Sequence, residues 1–536
     1  MKFGFIIDNR KCIGCHACTT ACKSEHVVPV GVNRTFVKYV EKGKYPNTRR
    51  VFSVMRCNHC TNAPCVTICP VEALFIREDG IVDFNNKRCI ACKSCMQACP
   101  YDALYIDPET RTAAKCNYCA HRIDIGLEPA CVNVCPEHAI ISGDMHDPNS
   151  EISQLLSRET VTVRKPEKGT IPNLFYIDGD EAALDPLATA KTNVTLWSQQ
   201  ARGVGHFAAK TEKLAYTGDD IILTAASAAV PSSQNRPDGG ERSIDVLMNA
   251  TRNYDQPDKG ILWGWEVSGY VVTKAISAGL ILVMLLSRFF GGVAVTEETR
   301  NWGYLASLVF LGLTGALLVK DLDQPKRFLN VLFRPQWKSW LVRGGYSITI
   351  FGGLVTLLLA SDYFGWGMGG TLRAPVVLFA VIVAIYTAFL FAQAKGRDFW
   401  QSPALALHML IHSILAGAAF FAVISIFVPH AGGWLSYLQL VMIGAIVANL
   451  FVTAIELTIT HPTVAAKATV HDIVSGRYKN LFWLGAIVLG NLVPLVLLLT
   501  GGTTNPLIAI SGLVVLIGSY LTEKIWVEAP QRIPLT

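Results

Sequence analysis

From about residue 263 to the end of the chain, apolar segments of about 18 to 26 residues recur between short polar loops. As helices, such segments are long enough to cross a hydrocarbon layer of roughly 30 Å. Eight spans are predicted, at approximately 265–289, 303–319, 346–366, 374–393, 404–428, 433–458, 481–500 and 504–523. The pattern before them differs. One phrase, C-P-x-x-A followed by apolar residues, occurs three times: CPVEALFI from Cys69, CPYDALYI from Cys99 and CPEHAII from Cys135. Each predicts a proline-started turn followed by a short strand, with the neighbouring cysteines on a loop and a helical turn. Residues 146–180 are mixed and are expected to pack against this repeated domain. The stretch 181–258, with AASAAVPSSQNRPDGGERS, reads as a linker with a few short helices. The predicted domains are 1–180, a linker over 181–260 and a membrane domain over 261–536.

Composition agrees with two chemistries in series. Of 536 residues, 51% are hydrophobic and only 16% charged, and mean hydropathy is +0.35. That leaves too few charges to coat several soluble cores, so much of the chain is expected to face lipid. The net charge of +6 is small for this length, and no Lys/Arg block stands beside interleaved aromatics. Nucleic acid is therefore excluded as a partner. The opening MKFGFIIDNRKC lacks the apolar core and small-residue cleavage pattern of a signal peptide. An N-terminal domain that stays in the cytosol, or crosses with an exported partner, is expected.

All 16 cysteines lie between Cys12 and Cys135, in four groups. Cys12, Cys15, Cys18 and Cys22 are spaced C-x2-C-x2-C-x3-C, and Cys89, Cys92, Cys95 and Cys99 repeat that spacing with Pro100 following. Cys57, Cys60, Cys65 and Cys69 give C-x2-C-x4-C-x3-C-P; Cys116, Cys119, Cys131 and Cys135 give C-x2-C-x11-C-x3-C-P. Three thiolates close together on a tight loop can wrap three irons of one cubane, while the fourth is carried away to a neighbouring cluster. Sixteen thiolates at four per cubane predict four [4Fe-4S] clusters with none left over. Zinc sites usually present two C-x2-C pairs per ion, so a zinc-stabilised interaction module fits poorly.

The four groups resemble the electron-transfer subunits of the molybdopterin oxidoreductase complexes, such as dimethyl sulfoxide reductase, polysulfide reductase and the formate dehydrogenase beta subunit. The resemblance implies an α+β duplicated bacterial-ferredoxin-type domain. It also implies the ligand sets: Cys12, Cys15, Cys18 and Cys135; Cys116, Cys119, Cys131 and Cys22; Cys57, Cys60, Cys65 and Cys99; Cys89, Cys92, Cys95 and Cys69. One departure is Lys23, where the other groups have proline. Farther along, YDQPDKGILWGWEVSGYVVTKAISAG and DLDQPKRFLNVLFRPQWKSWLVRGGY resemble the NrfD-like, polysulfide-reductase-type membrane anchor. That resemblance implies an all-α membrane domain of eight helices in two four-helix bundles, without haem and with a quinone site. The whole reads as a fusion of the two subunits.

Intramembrane ionisable groups are costly in lipid and mark function by default. Lys274 lies in the first span; His408 and His412, four residues apart, share a helix face of the fifth. Tyr386, Asn449, Glu456 and Asn491 lie in the fourth, sixth, sixth and seventh. Quinone reduction needs two electrons and two protons; Tyr386, His408 and His412 suit hydrogen bonding to the carbonyl oxygens, and Lys274 and Glu456 suit proton supply. Against these stand snorkelling for Lys274 and Glu456, helix–helix hydrogen bonds for the asparagines, and haem ligation for the histidines. Haem is disfavoured because its two ligands normally come from different helices, and His430, His461 and His471 read as loop residues. Trp263, Trp265, Trp337 and Trp340 read as an interfacial belt.

The expected role is electron transfer between an external molybdopterin-type catalytic subunit and menaquinone or ubiquinone in the bilayer. The sequence carries no nucleotide-binding glycine fingerprint, pterin domain or nucleophile triad of its own. The alternatives are a redox-driven proton-translocating module, or a partner of a hydrogenase or multihaem cytochrome. Loops on the side of the iron-sulfur domain carry Lys320, Lys326, Arg327, Arg334, Lys338 and Arg343 among others, against Arg288, Arg300 and Arg373 opposite. By the positive-inside rule the iron-sulfur domain is cytoplasmic at the inner membrane. A periplasmic position is the competing reading, since basic loops would also suit an acidic iron-sulfur surface.

Overall fold

A computed structural model describes residues 1–44, 46–191, 250–255, 259–501 and 505–536. It divides into two compact units, Met1–Leu262 with Ala394–Gly396 and Ile533–Thr536, and Trp263–Gln393 with Arg397–Arg532.

The first unit is built on two four-stranded sheets. Strand β1 (Phe3–Asp8) leads through helix α1 (Ala17–His26) to the long hairpin of β2 (Thr35–Lys44) and β3 (Asn47–Arg56). Two copies of one small motif follow. Helix α2 (Pro64–Ile68) precedes the hairpin β4 (Leu74–Ile76) and β5 (Val82–Phe84); helix α3 (Ser94–Ala98) precedes β6 (Leu104–Ile106) and β7 (Ala113–Lys115). After α4 (Ala120–Ile123) and α5 (Ala130–Asn133), β8 (Ile140–Asp144) returns antiparallel beside β1. Each C-P-x-x-A phrase thus ends in a strand, namely β4, β6 and β8.

Residues 146–180 do pack against the repeated domain. They supply α6 (Glu151–Arg158), β9 (Val161–Thr162) and β10 (Leu174–Ile177), which completes the sheet β8-β1-β10-β9. The described ends of the predicted linker are ordered as well. Helix α7 (Glu181–Leu184), β11 (Ala190–Lys191) and β12 (Ala250–Tyr254) follow, and β11 and β12 extend the sheet of β2 and β3. Burial of Ala182, Ala183 and Ala250 against Val40 and Val51 accounts for this order. The short helices expected between residues 192 and 249 lie outside the described residues.

Among the described residues, the second unit has eight helices long and apolar enough to cross a membrane. They are α8 (Trp265–Phe290), α9 (Glu297–Lys320), α11 (Trp340–Phe364) and α12 (Gly369–Gln393), with the short α10 (Asn330–Phe333) between α9 and α11; then α13 (Ala404–Ile424), α14 (Trp434–Thr458), the span Leu481–Thr500 and α17 (Asn505–Glu528). Helix α15 (Val464–Val474) lies between spans six and seven. His471 is therefore helical rather than a loop residue. The seventh span starts as a π-helix, Leu481–Leu492, and continues as α16 (Val493–Thr500). Helices α8 and α13 are the most buried spans. They meet at Gly279 and Gly417, where a Cβ on Gly279 would lie 1.7 Å from the Ser413 carbonyl oxygen. Only hydrogen side chains permit that approach.

The belt expectation is corrected at Trp263. It is 4% exposed and stacks on Phe391 and Trp400, because those two rings offer it an apolar slot. Trp265 and Trp337 are about half exposed, as a belt requires.

Candidate functional site

The duplication extends to the backbone around the cysteines. In the first C-x2-C pair of each group the residue before the second cysteine has a left-handed backbone: Gly14, His59, Ala91 and Tyr118, with φ of 71°, 43°, 57° and 63°. After the fourth cysteine, Glu72, Asp102 and His138 share that conformation, with φ of 51°, 54° and 47°. Such residues curl the chain and turn successive N–H groups toward a common point. The alanine of the repeated phrase then has a physical role: Ala73 and Ala139 donate their N–H to Cys69 and Cys135 Sγ, both at 3.3 Å. In the first group, where Lys23 replaces proline, α1 continues to His26, and Lys23 Nζ donates to the carbonyls of Pro29 and Val32.

Two pockets show how the groups interleave. One is lined by Cys12, Cys15, Cys18 and Cys135, the other by Cys69, Cys89, Cys92 and Cys95. Cys22 lies near Cys116, Cys119 and Cys131, and Cys99 near Cys57, Cys60 and Cys65. The fourth cysteine of each group thus joins another group's three. Burial pushes the Cys18 and Cys119 thiols up to about 12, and raises those of Cys65 and Cys95 as well. Thiolates are stable there only beside a compensating cationic core.

Sulfur spacing separates a cluster from a single ion. Tetrahedral zinc at about 2.3 Å per Zn–S bond would bring its sulfurs within about 3.8 Å of one another. Among the described residues, no cysteine quartet has ligand atoms within 4.8 Å; the one group that does is His408, His412 and Glu523. The wider cysteine spacing fits a cubane.

That other group lies in the membrane unit. His408 and His412, on one face of α13, stack with ring centroids 4.3 Å apart. His408 Nδ1 donates to Glu456 Oε2 at 2.8 Å, and the same oxygen accepts from Trp526 Nε1 at 3.0 Å. His412 Nε2 donates to Asn449 Oδ1 at 2.9 Å, and Asn449 Nδ2 donates to Asn491 Oδ1 at 2.9 Å. With these nitrogens engaged, the other two turn toward Glu523 on α17. Its Oε1 lies 2.9 Å from His412 Nδ1 and 3.8 Å from His408 Nε2. None of the three atoms makes a well-directed hydrogen bond. All three side chains are buried. The stacked imidazoles share one helix face, so they do not offer axial ligands to a haem from opposite sides.

Lys274 is 1% exposed and does not snorkel. Its ammonium donates to Ala384 O at 3.0 Å and Thr387 Oγ1 at 2.8 Å, lies 4.8 Å from the Tyr386 ring centre and is within electrostatic reach of Glu523. Lys274, Tyr386, His408, His412 and Glu456 therefore fall into one buried polar region, and Glu523 connects its two halves. Glu523 and Trp526 are the residues the sequence reading missed. Glu523 stood at the polar end of a predicted span, where a carboxylate reads as interfacial.

Comparison with known proteins follows this division. Residues 48–145 match the 4Fe-4S dicluster domain, residues 10–31 a 4Fe-4S binding domain, and residues 255–527 the family "Polysulphide reductase, NrfD". A tetrathionate reductase subunit of Salmonella typhimurium is 46% identical over 202 residues, covering 37% of this protein and 80% of the relative. A polysulfide reductase component of Wolinella succinogenes is 42% identical over 187 residues, covering 34% and 98%. A putative dimethyl sulfoxide reductase iron-sulfur subunit of Halobacterium salinarum is 35% identical over 230 residues, covering 37% and 88%. Through its multi-pass membrane half this polypeptide belongs to the NrfD polysulphide reductase family, and it joins to that half an iron-sulfur electron-transfer subunit of the reductase-complex type.

Proposed function

We propose that this protein passes electrons between an external molybdopterin-type catalytic subunit and the membrane quinone pool. Four [4Fe-4S] clusters, when bound, supply one-electron carriers. Their ligands are Cys12, Cys15, Cys18 and Cys135; Cys22, Cys116, Cys119 and Cys131; Cys57, Cys60, Cys65 and Cys99; and Cys69, Cys89, Cys92 and Cys95. Left-handed turns and the alanine N–H groups hold these sulfurs in place, and burial excludes water from most of them, Cys15 being exposed.

The observation that carries the quinone half is the convergence of His408 Nε2, His412 Nδ1 and Glu523 Oε1, three buried polar atoms without a directed partner, inside an apolar bundle. Buried polar groups are normally satisfied, so a polar ligand atom or a shared proton suits that point. Glu456 fixes His408 with its inward nitrogen bare, and Asn449 does the same for His412. Tyr386 and Lys274 border the region, with Lys274 and Glu456 as proton suppliers. The run from Asn491 through Asn449 and His412 to Glu523 also favours a second reading, in which protons cross part of the membrane along these groups. The bias of basic loops supports a cytoplasmic position for the iron-sulfur unit.

Purified full-length protein is expected to contain about sixteen irons per molecule and to give a low-temperature EPR signal on reduction. A quinone added to the reduced protein is expected to restore the cluster colour. Iron-free protein would overturn the cluster assignment; loaded clusters that no quinone reoxidises would overturn the quinone assignment. Uptake of protons from one side of liposomes during quinone turnover would decide for the second reading.

A further inference from the structure

Arg56, the last residue of β3, is 2% exposed, and its Nη1 donates to Cys131 Sγ at 3.1 Å. Its charge also bears on Cys116 and on Cys18 of the adjoining quartet. The Phe5 ring lies 4.5 Å from the guanidinium, while Nε and Nη2 find no hydrogen-bond partner. A buried arginine with donors unpaired is costly unless negative charge compensates it, and the cysteine sulfurs are the negative groups it touches. Near the same quartet, His26 Nε2 approaches Cys119 Sγ at 3.1 Å. Lys115, fully buried, donates to the Cys116 carbonyl at 2.8 Å and lies beside Cys57.

Resting on the ligand sets proposed above, we propose that Arg56 and His26 raise the reduction potential of the cluster held by Cys22, Cys116, Cys119 and Cys131. Arg56 also raises the potential of the neighbouring Cys12/Cys15/Cys18/Cys135 cluster, by a smaller amount. The couple adds one electron, and hence one negative charge, with no bond made or broken and no proton moved. A permanent cation in a low-dielectric setting, and N–H donors on sulfur, stabilise the more negative form. Arginine keeps its charge throughout the working pH range. The other two clusters feel Arg56 less, because Coulomb energy falls with distance. Both side chains act as positioning residues, through the cluster ligands.

The test is an EPR-monitored redox titration of the full-length protein, with Cys119→Ser marking which signal belongs to the cluster. Arg56→Gln is expected to lower that midpoint by a tenfold or greater loss in electron-uptake equilibrium, about 59 mV for a one-electron couple. The neighbouring midpoint should fall less, the other two least. Arg56→Lys should keep most of the parent value. Unmoved midpoints at full iron content, equal shifts of all four, or an Arg56→Lys shift as large as that of Arg56→Gln would each overturn the inference. If Arg56→Gln fails to load iron, His26→Leu takes its place: the same midpoint should fall, and no change overturns the claim. Failure of the ligand sets would appear separately, as missing iron in the parent protein.

Discussion

Glu523 Oε1 stands 2.9 Å from His412 Nδ1, although the two residues lie 111 positions apart on different spans, α17 and α13. The carboxylate sits off the line of a good hydrogen bond, facing two imidazole nitrogens at once. Glu523→Gln keeps the shape and removes the charge. It is expected to lower quinone-linked turnover at least tenfold, about 1.4 kcal/mol in barrier, while iron content and cluster EPR stay at parent levels. Quinol oxidation assayed in membrane vesicles checks this; unchanged turnover would remove Glu523 from the site.

Lys274 depends on a specific pair of acceptors, Ala384 O and Thr387 Oγ1. A flexible ammonium reaches both, whereas a planar guanidinium is larger and differently shaped. Lys274→Met is expected to leave a folded protein with loaded clusters and quinone turnover down at least tenfold, and Lys274→Arg to restore little of it. Recovery to near parent rate in the arginine variant would show that charge alone suffices.

The crossing of α8 and α13 sets where the histidines stand. A methyl on Gly279 would overlap the carbonyl oxygen of Ser413, the residue after His412. Gly279→Ala is expected to destabilise the membrane unit by about 3 kcal/mol or more. Gly312→Ala, where a Cβ meets nothing within 4 Å, should be neutral. Thermal denaturation of the purified variants in detergent compares the two.

Arg10 beside Asp8 holds that carboxyl below its ordinary value, through contacts of 2.9 and 2.8 Å. A carboxyl whose folded value is depressed contributes stability above its unfolded value, near 3.9, and loses it as pH falls through the folded value. Because Arg10 is 46% exposed, Asp8→Asn should cost only about 0.5–1 kcal/mol at neutral pH. The gap from the parent should close at acid pH, as the carboxyl protonates through its depressed folded value. Urea unfolding followed by circular dichroism at both pH values measures it; a constant gap would rule out this ion pair as its source.

Much of the fold was legible because two of its signals are nearly one-dimensional. A span needs a long apolar run, so all eight were visible, though their ends were not. Helix α9 begins at Glu297 because Thr296 Oγ1 caps it, accepting from Thr299 N at 3.2 Å. Helix α17 continues past Glu523 because protein, rather than water, covers that carboxylate. The role of alanine in the C-P-x-x-A phrase was hidden for another reason: its N–H meets sulfur only after the following residues turn left-handed.

Cysteine spacing and apolar run length are properties of the linear sequence, and they alone fixed an iron-sulfur domain joined to an eight-span membrane domain. They also put Lys274, Tyr386, His408, His412 and Glu456 under suspicion, because ionisable and hydroxyl groups in lipid are rare enough to be noticed one by one. Proximity across helices belongs to the packing. Only the tertiary structure brought Glu523 and Trp526 to the histidines, and Arg56 to Cys131. No local pattern encodes which faces of distant segments will meet once their apolar surfaces are buried.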